Sequence, residues 1–336
     1  MPLDREDRLI SWLRARADAG GAPLLGDDAA LLALAGEHAV TVDQQIAGVH
    51  FPRRLAPDLV ARRLLRVSLS DLAAVGAAPR YALLALAAPR GFDHRAFFRA
   101  LVSECRRFAL RLAGGDLARA SELRGALTLI GARPPRGRWL RRSAARPGDA
   151  LWVGGTLGEA AVGCRLVGAG AGPGAAPSAL PERLGIAADL RGAARRAVRR
   201  HLLPEPQLAL GRWLGRARRA AAIDLSDGFA RDLHRLCRES GVAADVDAAA
   251  LPLAPGHAAL AHALGTDPQA LALGGGEDYV LLFALPPALT PPARFSCHRV
   301  GVITASRRLR LRDAGRWRPL PDVGFDHLSP RARSGR

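Results

Sequence analysis

The chain has 336 residues, 49% of them hydrophobic, which is enough apolar material for one large domain or two of ordinary size. Its formal net charge is +18, and all 49 basic residues are arginine. Without lysine, the chain cannot supply the phosphate-binding lysine of a P-loop or a protein kinase, and it cannot form a lysine Schiff base.

Hydrophobic periodicity predicts six helices along the chain. They cover residues 4–18, 57–75, 93–111, 186–202, 205–218 and 228–239. Apolar runs typical of strands are interspersed with these helices. The runs are HAVTV (38–42), YALLALA (81–87), ALTLIGA (126–132), ALWVGG (150–155), AAAIDL (220–225), YVLLFAL (279–285) and HRVGVI (298–303). This mixture predicts an α/β or α+β class.

Turn residues in the stretch RPGDALWVGG, followed by a new strand, predict a domain boundary near residue 148. We expect an N-terminal domain over residues 1–148 and a C-terminal domain over residues 149–336. The stretch 168–181 is rich in Gly, Ala and Pro and is typical of a loop within the second domain.

The arginines are spread over several segments, with few aromatic residues between them and no recognised nucleic-acid reading motif. We therefore expect solvated arginine-rich faces and no nucleic-acid partner. A protein that binds nucleic acid or an acidic partner is the alternative suggested by the charge. That alternative leaves the clustered aspartates described below without a role, because carboxylates repel phosphates unless cations intervene.

No apolar run reaches the roughly 18 residues needed to cross a bilayer, and acids stand where a secretory signal would be apolar. We expect a cytoplasmic protein with no membrane partner. The four cysteines show neither CxxC spacing nor the density of a disulfide scaffold, so we expect buried thiols. They are Cys105, Cys164, Cys237 and Cys297.

Acidic residues recur at or beside the ends of apolar runs. The five stretches are GDDAALL (26–32), TVDQQ (41–45), SLSD (68–71), AGGDLAR (113–119) and DLSDG (224–228). In α/β folds the loops after strands collect ligands, so we expect these carboxylates to converge. Such oxygen-rich sites suit Mg²⁺ and phosphates. Neighbouring glycines let the backbone approach a phosphate, with Gly114-Gly115-Asp116 expected directly after a strand.

The alternative for each acid alone is a structural role. Asp71 and Asp227 stand where they could cap a following helix, and Asp43 could lie in a turn. A cap needs one acceptor, however, whereas GDD and DLSD each carry two carboxylates that repel one another without a cation. The five stretches together therefore favour metal and phosphate chemistry.

These motifs, in this order, resemble the thiamine-monophosphate kinase family over nearly the whole chain, from residue 26 to residue 328. The segments that carry the resemblance are GDDAALL, TVDQQIAGVHF, SLSDLAAVGAAP, GGDLAR, LRRSAARPGDALWVGGTLGEAAVG, RHLLPEPQLALG, AAIDLSDGFARDL, LGGGEDYVLLF and VGFDHL. The resemblance implies the two-domain fold of aminoimidazole ribonucleotide synthetase, an N-terminal sheet that pairs across a homodimer and a C-terminal α/β domain.

The resemblance also implies direct phosphoryl transfer from ATP to thiamine monophosphate, giving ADP and thiamine diphosphate, with several Mg²⁺ ions. The implied metal ligands are Asp28, Thr41, Asp43, Asp71, Asp116, Asp224 and Asp227. The implied ATP contacts are Gly115, Asp116, Arg142 and Ser226. The implied substrate contacts are His50, Glu277 and Phe325. Metals and an arginine suffice for such a transfer, so no protein nucleophile is expected and the missing lysine is no obstacle.

Several alternatives stay open at these positions. His50 could be a satisfied core histidine, Glu277 and its neighbour Asp278 could cap a turn, and Phe325 could pack the C-terminal tail. A neighbouring arginine, Arg141 or Arg146, could replace Arg142. The acceptor could also be another molecule, since relatives with this fold act on other substrates, or the chain could be a drifted paralogue. The chain departs from the usual family pattern at Arg63, Ser68, Val42, Leu117, Ala118 and Val280.

Overall fold

The computed structural model describes residues 5–17, 24, 25, 29–169, 182 and 185–326. Over these residues the helices are α1 (Arg5–Ala17), α2 (Pro57–Ala74), α3 (His94–Arg107), α4 (Glu159–Ala169), α5 (Arg191–Leu202), α6 (Leu208–Leu214), α7 (Phe229–Ser240), α8 (His257–Ala263) and α9 (Pro268–Gly274). The strands are β1 (His38–Ile46), β2 (Ala78–Ala88), β3 (Arg111–Arg119), β4 (Arg124–Ala132), β5 (Ala150–Gly154), β6 (Ala221–Asp224), β7 (Ala243–Asp247), β8 (Leu281–Leu285), β9 (Cys297–Thr304), β10 (Arg310–Asp313) and β11 (Arg316–Pro319). Among the described residues, no helix combines the length and the hydropathy that a membrane span requires.

The first four strands form one sheet in the order β1-β4-β2-β3, in which only β2 and β3 run parallel. Side chains on β1 alternate between the two faces, as a strand with one covered face requires. Val40 and Val42 are 63% and 64% exposed on the outer face. Helix α2 packs on the inner face, where leucines of α2, β2 and β4 are buried together. These leucines are Leu64, Leu65, Leu69, Leu72, Leu84, Leu86, Leu127 and Leu129.

Helix α2 is bounded by local signals. Pro57 occupies the first turn, where its missing N–H breaks no helical hydrogen bond. Gly76 has a φ of 74° just past the end, and the Ala77 N–H donates to the Leu72 carbonyl at 2.8 Å. The helix therefore ends soon after Asp71 and holds that carboxylate in its last turns.

The remaining strands form a seven-stranded sheet in the order β11-β10-β7-β9-β5-β8-β6. All its neighbouring pairs are antiparallel except β7 and β10. Every residue of β8 is buried, as expected for a strand inside a sheet with both faces covered. Helix α7 packs against the sheet through an apolar stripe that includes Leu233, Leu236 and Cys237.

Each of the seven predicted strand runs overlaps a strand, and the predicted helices correspond to α1, α2, α3, α5, α6 and α7. The helix predicted to residue 111 was too long, because Ala109 adopts a φ of 56° and ends it. Gly115 and Asp116 lie inside β3, so the expectation that they follow a strand was wrong. A Cβ on Gly115 would stand 1.9 Å from the Leu84 carbonyl oxygen, so only glycine permits β2 to approach this closely.

The acids do not all follow strand ends as expected. Asp43 lies within β1, Asp71 within α2 and Asp116 within β3, whereas Asp224 is the last residue of β6. The sheets are largely antiparallel, so the rule that collects ligands at the carboxyl ends of parallel strands does not apply. The buried-thiol prediction is confirmed for Cys105 and Cys237 but wrong for Cys164, which is exposed, and only partly right for Cys297.

Candidate active site

Three carboxylates distant in sequence come together between the two sheets. Asp43 lies on the inner face of β1, Asp71 on the side of α2 that faces it, and Asp224 at the end of β6. Thr41, two residues before Asp43, donates its hydroxyl hydrogen to Asp71 at 2.5 Å. The structural alternatives for Asp43 and Asp71 are therefore wrong, because neither residue lies in a turn or caps a helix.

Burial raises the pKa of all three carboxylates, and repulsion between carboxylates adds to this effect at Asp43 and Asp224. Burial and then the charges of Asp71, Asp232 and Asp43 raise the pKa of Asp224 to about 8. Burial, followed by repulsion from Asp71, raises the pKa of Asp43 to about 6. Burial also raises the pKa of Asp71, against the hydrogen bond from Thr41 and the charge of Arg142. Like charges held this closely favour a bound cation, which would let all three ionise.

A cleft of about 460 Å³ opens beside this cluster. Its lining includes Thr41, Asp71, Arg141 and Arg142. The volume lies within the range of about 300 to 1,000 Å³ typical of small-molecule sites. Carboxylates, a hydroxyl and arginine side chains at one cleft can hold a divalent cation and a polyphosphate together.

Asp227 has a different environment from the three clustered carboxylates. Its side chain pairs with Arg235 at 2.6 Å, and its N–H donates to Asp232 at 3.0 Å. The same arginine contacts Asp232 at 2.8 Å. Asp227 does not cap α7, because the N-cap is Gly228 and no side chain bonds there. Asp232 is buried and connects this pair electrostatically to Asp224.

Glu277 lies in a buried ionic network. Arg63, which is fully buried, contacts Oε1 of Glu277, and the His201 Nδ1 lies 2.8 Å from Oε2. Burial alone would raise the pKa of Glu277, but the charges of Arg63 and His201 outweigh it and lower this pKa to about 2. Arg63 also donates to Gln45 on β1 at 3.2 Å. Glu277 is therefore ionised, and its position is tied to both sheets.

His50 lies near the same carboxylate and helps to lower the pKa of Glu277. Its Nδ1 accepts the Ile46 N–H at 3.0 Å, so the neutral ring carries its hydrogen on Nε2. Asp278, expected as a possible cap of the turn before β8, instead accepts the N–H groups of Gly158 and Ala160 at the start of α4.

Three predicted segments are joined through their backbones. The N–H of Glu277 donates to the Ser226 carbonyl at 2.8 Å, and the N–H of Phe325 donates to the Asp227 carbonyl at 2.9 Å. Arg231 donates to the Phe325 carbonyl at 2.7 Å. Glu277 has a φ of 61°, a strained conformation for a residue with a Cβ that is typical of functional loops. Ser226, Asp227, Glu277 and Phe325 thus lie in one loop cluster.

Two predicted positions stand apart from this arrangement. Asp116 on β3 lies opposite Ala85 on β2, which lies opposite Ala126 on β4, which lies opposite Gln44 on β1. Three strand spacings of about 4.8 Å therefore place Asp116 about 14 Å across the sheet from β1. Gly115 lies at the same distant edge. Asp28 and the rest of the GDD motif lie outside the described residues.

Sequence reasoning missed several partners in these networks. Arg63 was noted only as a departure from the family pattern, and His201, Arg235 and Asp232 were not singled out. Arg63 and Glu277 are 214 residues apart, and no local pattern marks such a pair. The only sequence signal was the unusual placement of an arginine among the apolar residues of a helix that is otherwise buried.

Comparison with known proteins gives a consistent result. Residues 26–132 match the family model described as AIR synthase related protein, N-terminal domain. The chain is 38% identical to the thiamine-monophosphate kinase of Salmonella typhimurium over 269 residues, which cover 78% of this chain and 76% of the relative.

Two solved structures have the same fold. The crystal structure of thiamine-monophosphate kinase from Stenotrophomonas maltophilia K279a has a TM-score of 0.77 at 34% identity, covering 91% of this chain and 96% of that one. The complex of AaThiL with AMPPCP and TMP has a TM-score of 0.75 at 24% identity, covering 95% and 96% of the two chains. The identities and coverage, together with the carboxylate cluster and its cleft, show that this chain belongs to the thiamine-monophosphate kinase family.

Proposed function

We propose that this chain transfers the terminal phosphoryl group of ATP to thiamine monophosphate, forming thiamine diphosphate and ADP. The observation that carries this proposal is the convergence of Asp43, Asp71 and Asp224 beside an arginine-lined cleft of about 460 Å³. Family membership identifies the substrates, and a neighbour of the same fold, AaThiL, was solved as a complex with AMPPCP and TMP.

The donor set fits Mg²⁺, a hard cation that prefers oxygen ligands. Thr41, Asp43, Asp71 and Asp224 would hold it at the cleft, and Asp28, Asp116 and Asp227 complete the proposed ligand set. The raised pKa values of Asp43 and Asp224 support this assignment, because a cation would offset the repulsion that raises them. When bound, Mg²⁺ would supply the positive charge that neutralises the triphosphate.

On the ATP side, the chain's own residues orient and neutralise phosphate oxygens. Arg142 lines the cleft and its charge reaches Asp71, so we propose that it contacts the polyphosphate. Gly115, Asp116 and Ser226 are the further ATP contacts. Direct transfer asks the protein for in-line alignment and charge stabilisation, so no side chain needs to act as a nucleophile.

On the acceptor side, Glu277 presents an ionised carboxylate that would pair with the cationic thiazolium ring of thiamine. Phe325 would pack against the same ring, since aromatic faces attract cations. His50 would donate its Nε2 hydrogen to the substrate, because its Nδ1 is already occupied by the Ile46 N–H. With these roles, the acceptor would lie next to Asp227, because the loop cluster joins the segments of Glu277, Phe325 and Asp227.

A cytoplasmic homodimer with domains at 1–148 and 149–336 is part of this proposal. The separation of about 14 Å along the sheet supports a dimer, since Asp116 and the carboxylate cluster occupy opposite edges of one sheet. Pairing of β1 with β3 of a second copy would bring Asp116 of that copy to the cluster. Mixing Asp71→Asn with Asp116→Asn protein would then regenerate one intact site per mixed dimer. Mixtures no more active than the separate variants would refute shared sites.

The activity itself is tested by incubating purified protein with Mg²⁺, ATP and thiamine monophosphate and measuring thiamine diphosphate. The wild type should form product, and Asp71→Asn should lower kcat by at least about 100-fold, the loss typical of removing one transition-state charge contact. The control is Asp58→Asn, the same substitution near the other end of α2, about 20 Å away along the helix.

The control should retain wild-type turnover. Full activity in Asp71→Asn would remove the metal assignment, and ATP turnover without thiamine diphosphate would point to a different acceptor.

A further inference from the structure

We propose that Cys164, His201 and Glu277 form a binding site for Zn²⁺ or another thiophilic divalent cation, separate from the carboxylate cluster. Each of the three offers one ligand atom, and these atoms all lie within 4.8 Å of one another. Tetrahedral zinc bonds of about 2.0 to 2.3 Å place ligand atoms roughly 3.3 to 3.7 Å apart. Side-chain movements of about an ångström would therefore bring the three ligand atoms to tetrahedral zinc spacing.

The ligand types indicate which metal would bind. A thiolate, an imidazole and a carboxylate with one open position are typical of zinc, whereas Mg²⁺ prefers oxygen ligands alone. Binding would release the thiol proton of Cys164, because the thiolate is the ligand form. The Cys164 side chain is exposed, so a cation from solvent can reach it.

His201 supplies an independent indication. It is only 2% exposed, and its Nδ1 lacks a partner in hydrogen-bond geometry although Oε2 of Glu277 is 2.8 Å away. The contact with Glu277 is therefore electrostatic, and a metal bond would give this buried nitrogen a directed partner.

Close packing of α4 and α5 holds two of the ligands together. Gly163 lies against α5, where a Cβ would stand 2.0 Å from the Ala197 carbonyl oxygen and 2.9 Å from the His201 Cβ. This contact brings Cys164, the next residue, beside His201. Two of the three ligands thus stand on packed helices, which hold ligands more firmly than loops do.

Arg63 sets the strength of binding. Its guanidinium contacts Oε1 of Glu277, which orients the carboxylate and leaves Oε2 facing His201. Its fixed positive charge opposes a second cation, so the affinity should be lower than that of a structural zinc site.

A regulatory consequence rests on the proposed function. Glu277 is the residue we propose for the thiazolium ring, and a metal on its Oε2 would compete with that cation. Zn²⁺ should therefore inhibit the kinase competitively with thiamine monophosphate. A chelator should relieve this inhibition.

The binding test does not depend on kinase activity. Tag-free protein in saturating Mg²⁺ is titrated with Co²⁺, followed by the thiolate-to-cobalt charge-transfer absorption, and then with Zn²⁺ to displace it. We expect one ion per chain. Cys164→Ser should abolish the absorption and weaken Zn²⁺ binding more than about 10-fold, since even residues that only support a ligand cost that much. Cys297→Ser, at a half-buried thiol on β9, is the matched control and should bind as the wild type does.

Three results would overturn the site. These are the absence of a thiolate band in the wild type, a band that survives in Cys164→Ser, and a band lost in Cys297→Ser. Equal inhibition of wild type and Cys164→Ser by Zn²⁺ would overturn the regulatory part alone. Because Cys164 lies outside the proposed kinase machinery, its serine variant should keep full activity without Zn²⁺, which separates this inference from the proposed function.

Discussion

The buried carboxylate of Asp224 should destabilise the metal-free protein. Replacing Asp224 by asparagine should reveal the size of this effect on the free energy of unfolding. Burial and then repulsion from Asp71 raise its pKa from the ordinary 3.8 to about 8. Between these two values the folded chain binds a proton that the unfolded chain has lost, so stability falls as pH rises. The slope is about 1.4 kcal/mol per pH unit, or about 3 kcal/mol from about pH 5.5 to about pH 7.5.

Asp224→Asn keeps the shape of the side chain but cannot ionise, so this loss should be absent. Urea unfolding in EDTA at the two pH values would measure the free energy of unfolding of each protein. The variant should be more stable than the wild type, and the difference between them should grow toward high pH. The matched control is Asp247→Asn on β7, because hydrogen bonding to Arg312 lowers the pKa of Asp247 and its titration falls outside this window.

For Asp247→Asn, the difference in free energy of unfolding from the wild type should be the same at both pH values. A gap for Asp224→Asn that stays constant with pH, or a variant less stable than the wild type at the higher pH, would refute the electrostatic reasoning. The same variant should lose kinase activity, since the carboxylate that destabilises the fold is a proposed metal ligand.

Other replacements test the rest of the site. Arg63→Met should lower the free energy of unfolding in urea by about 3 kcal/mol, because it removes the guanidinium that contacts the Glu277 carboxylate. Arg63→Lys should recover part of this loss, and equal losses in the two variants would contradict the charge argument. Asp278→Ala should cost about 1 to 2 kcal/mol by removing the acceptor at the start of α4, and an unchanged unfolding midpoint would contradict that role. Phe325→Ala should raise KM for thiamine monophosphate and leave KM for ATP unchanged in initial-rate assays, so a rise in both would argue against a specific acceptor contact.

Local sequence patterns were sufficient for most secondary structure and for the kinds of side chain that gather beside the cleft. Periods of two and 3.6 residues located the main strands and helices, because burial of one face imposes those periods. The clustered aspartates beside apolar runs indicated an oxygen-rich metal site, and three of them do converge. The close approach of β3 to β2 was not predicted, because the requirement for glycine at Gly115 comes from the Leu84 backbone on β2.

The partnerships among these residues depend on the tertiary structure. Strand order separates Asp116 from Asp43 within one sheet, and the packing of α2 between the sheets joins Arg63 to Glu277 across 214 residues. Local periodicity reports which side of an element is buried and says nothing about which element covers it. The sequence alone therefore determined the kinds of side chain available for metal, phosphate and cation binding. The contacts among them were decided by long-range packing, since burial beside a particular partner is what fixes the charge of each carboxylate.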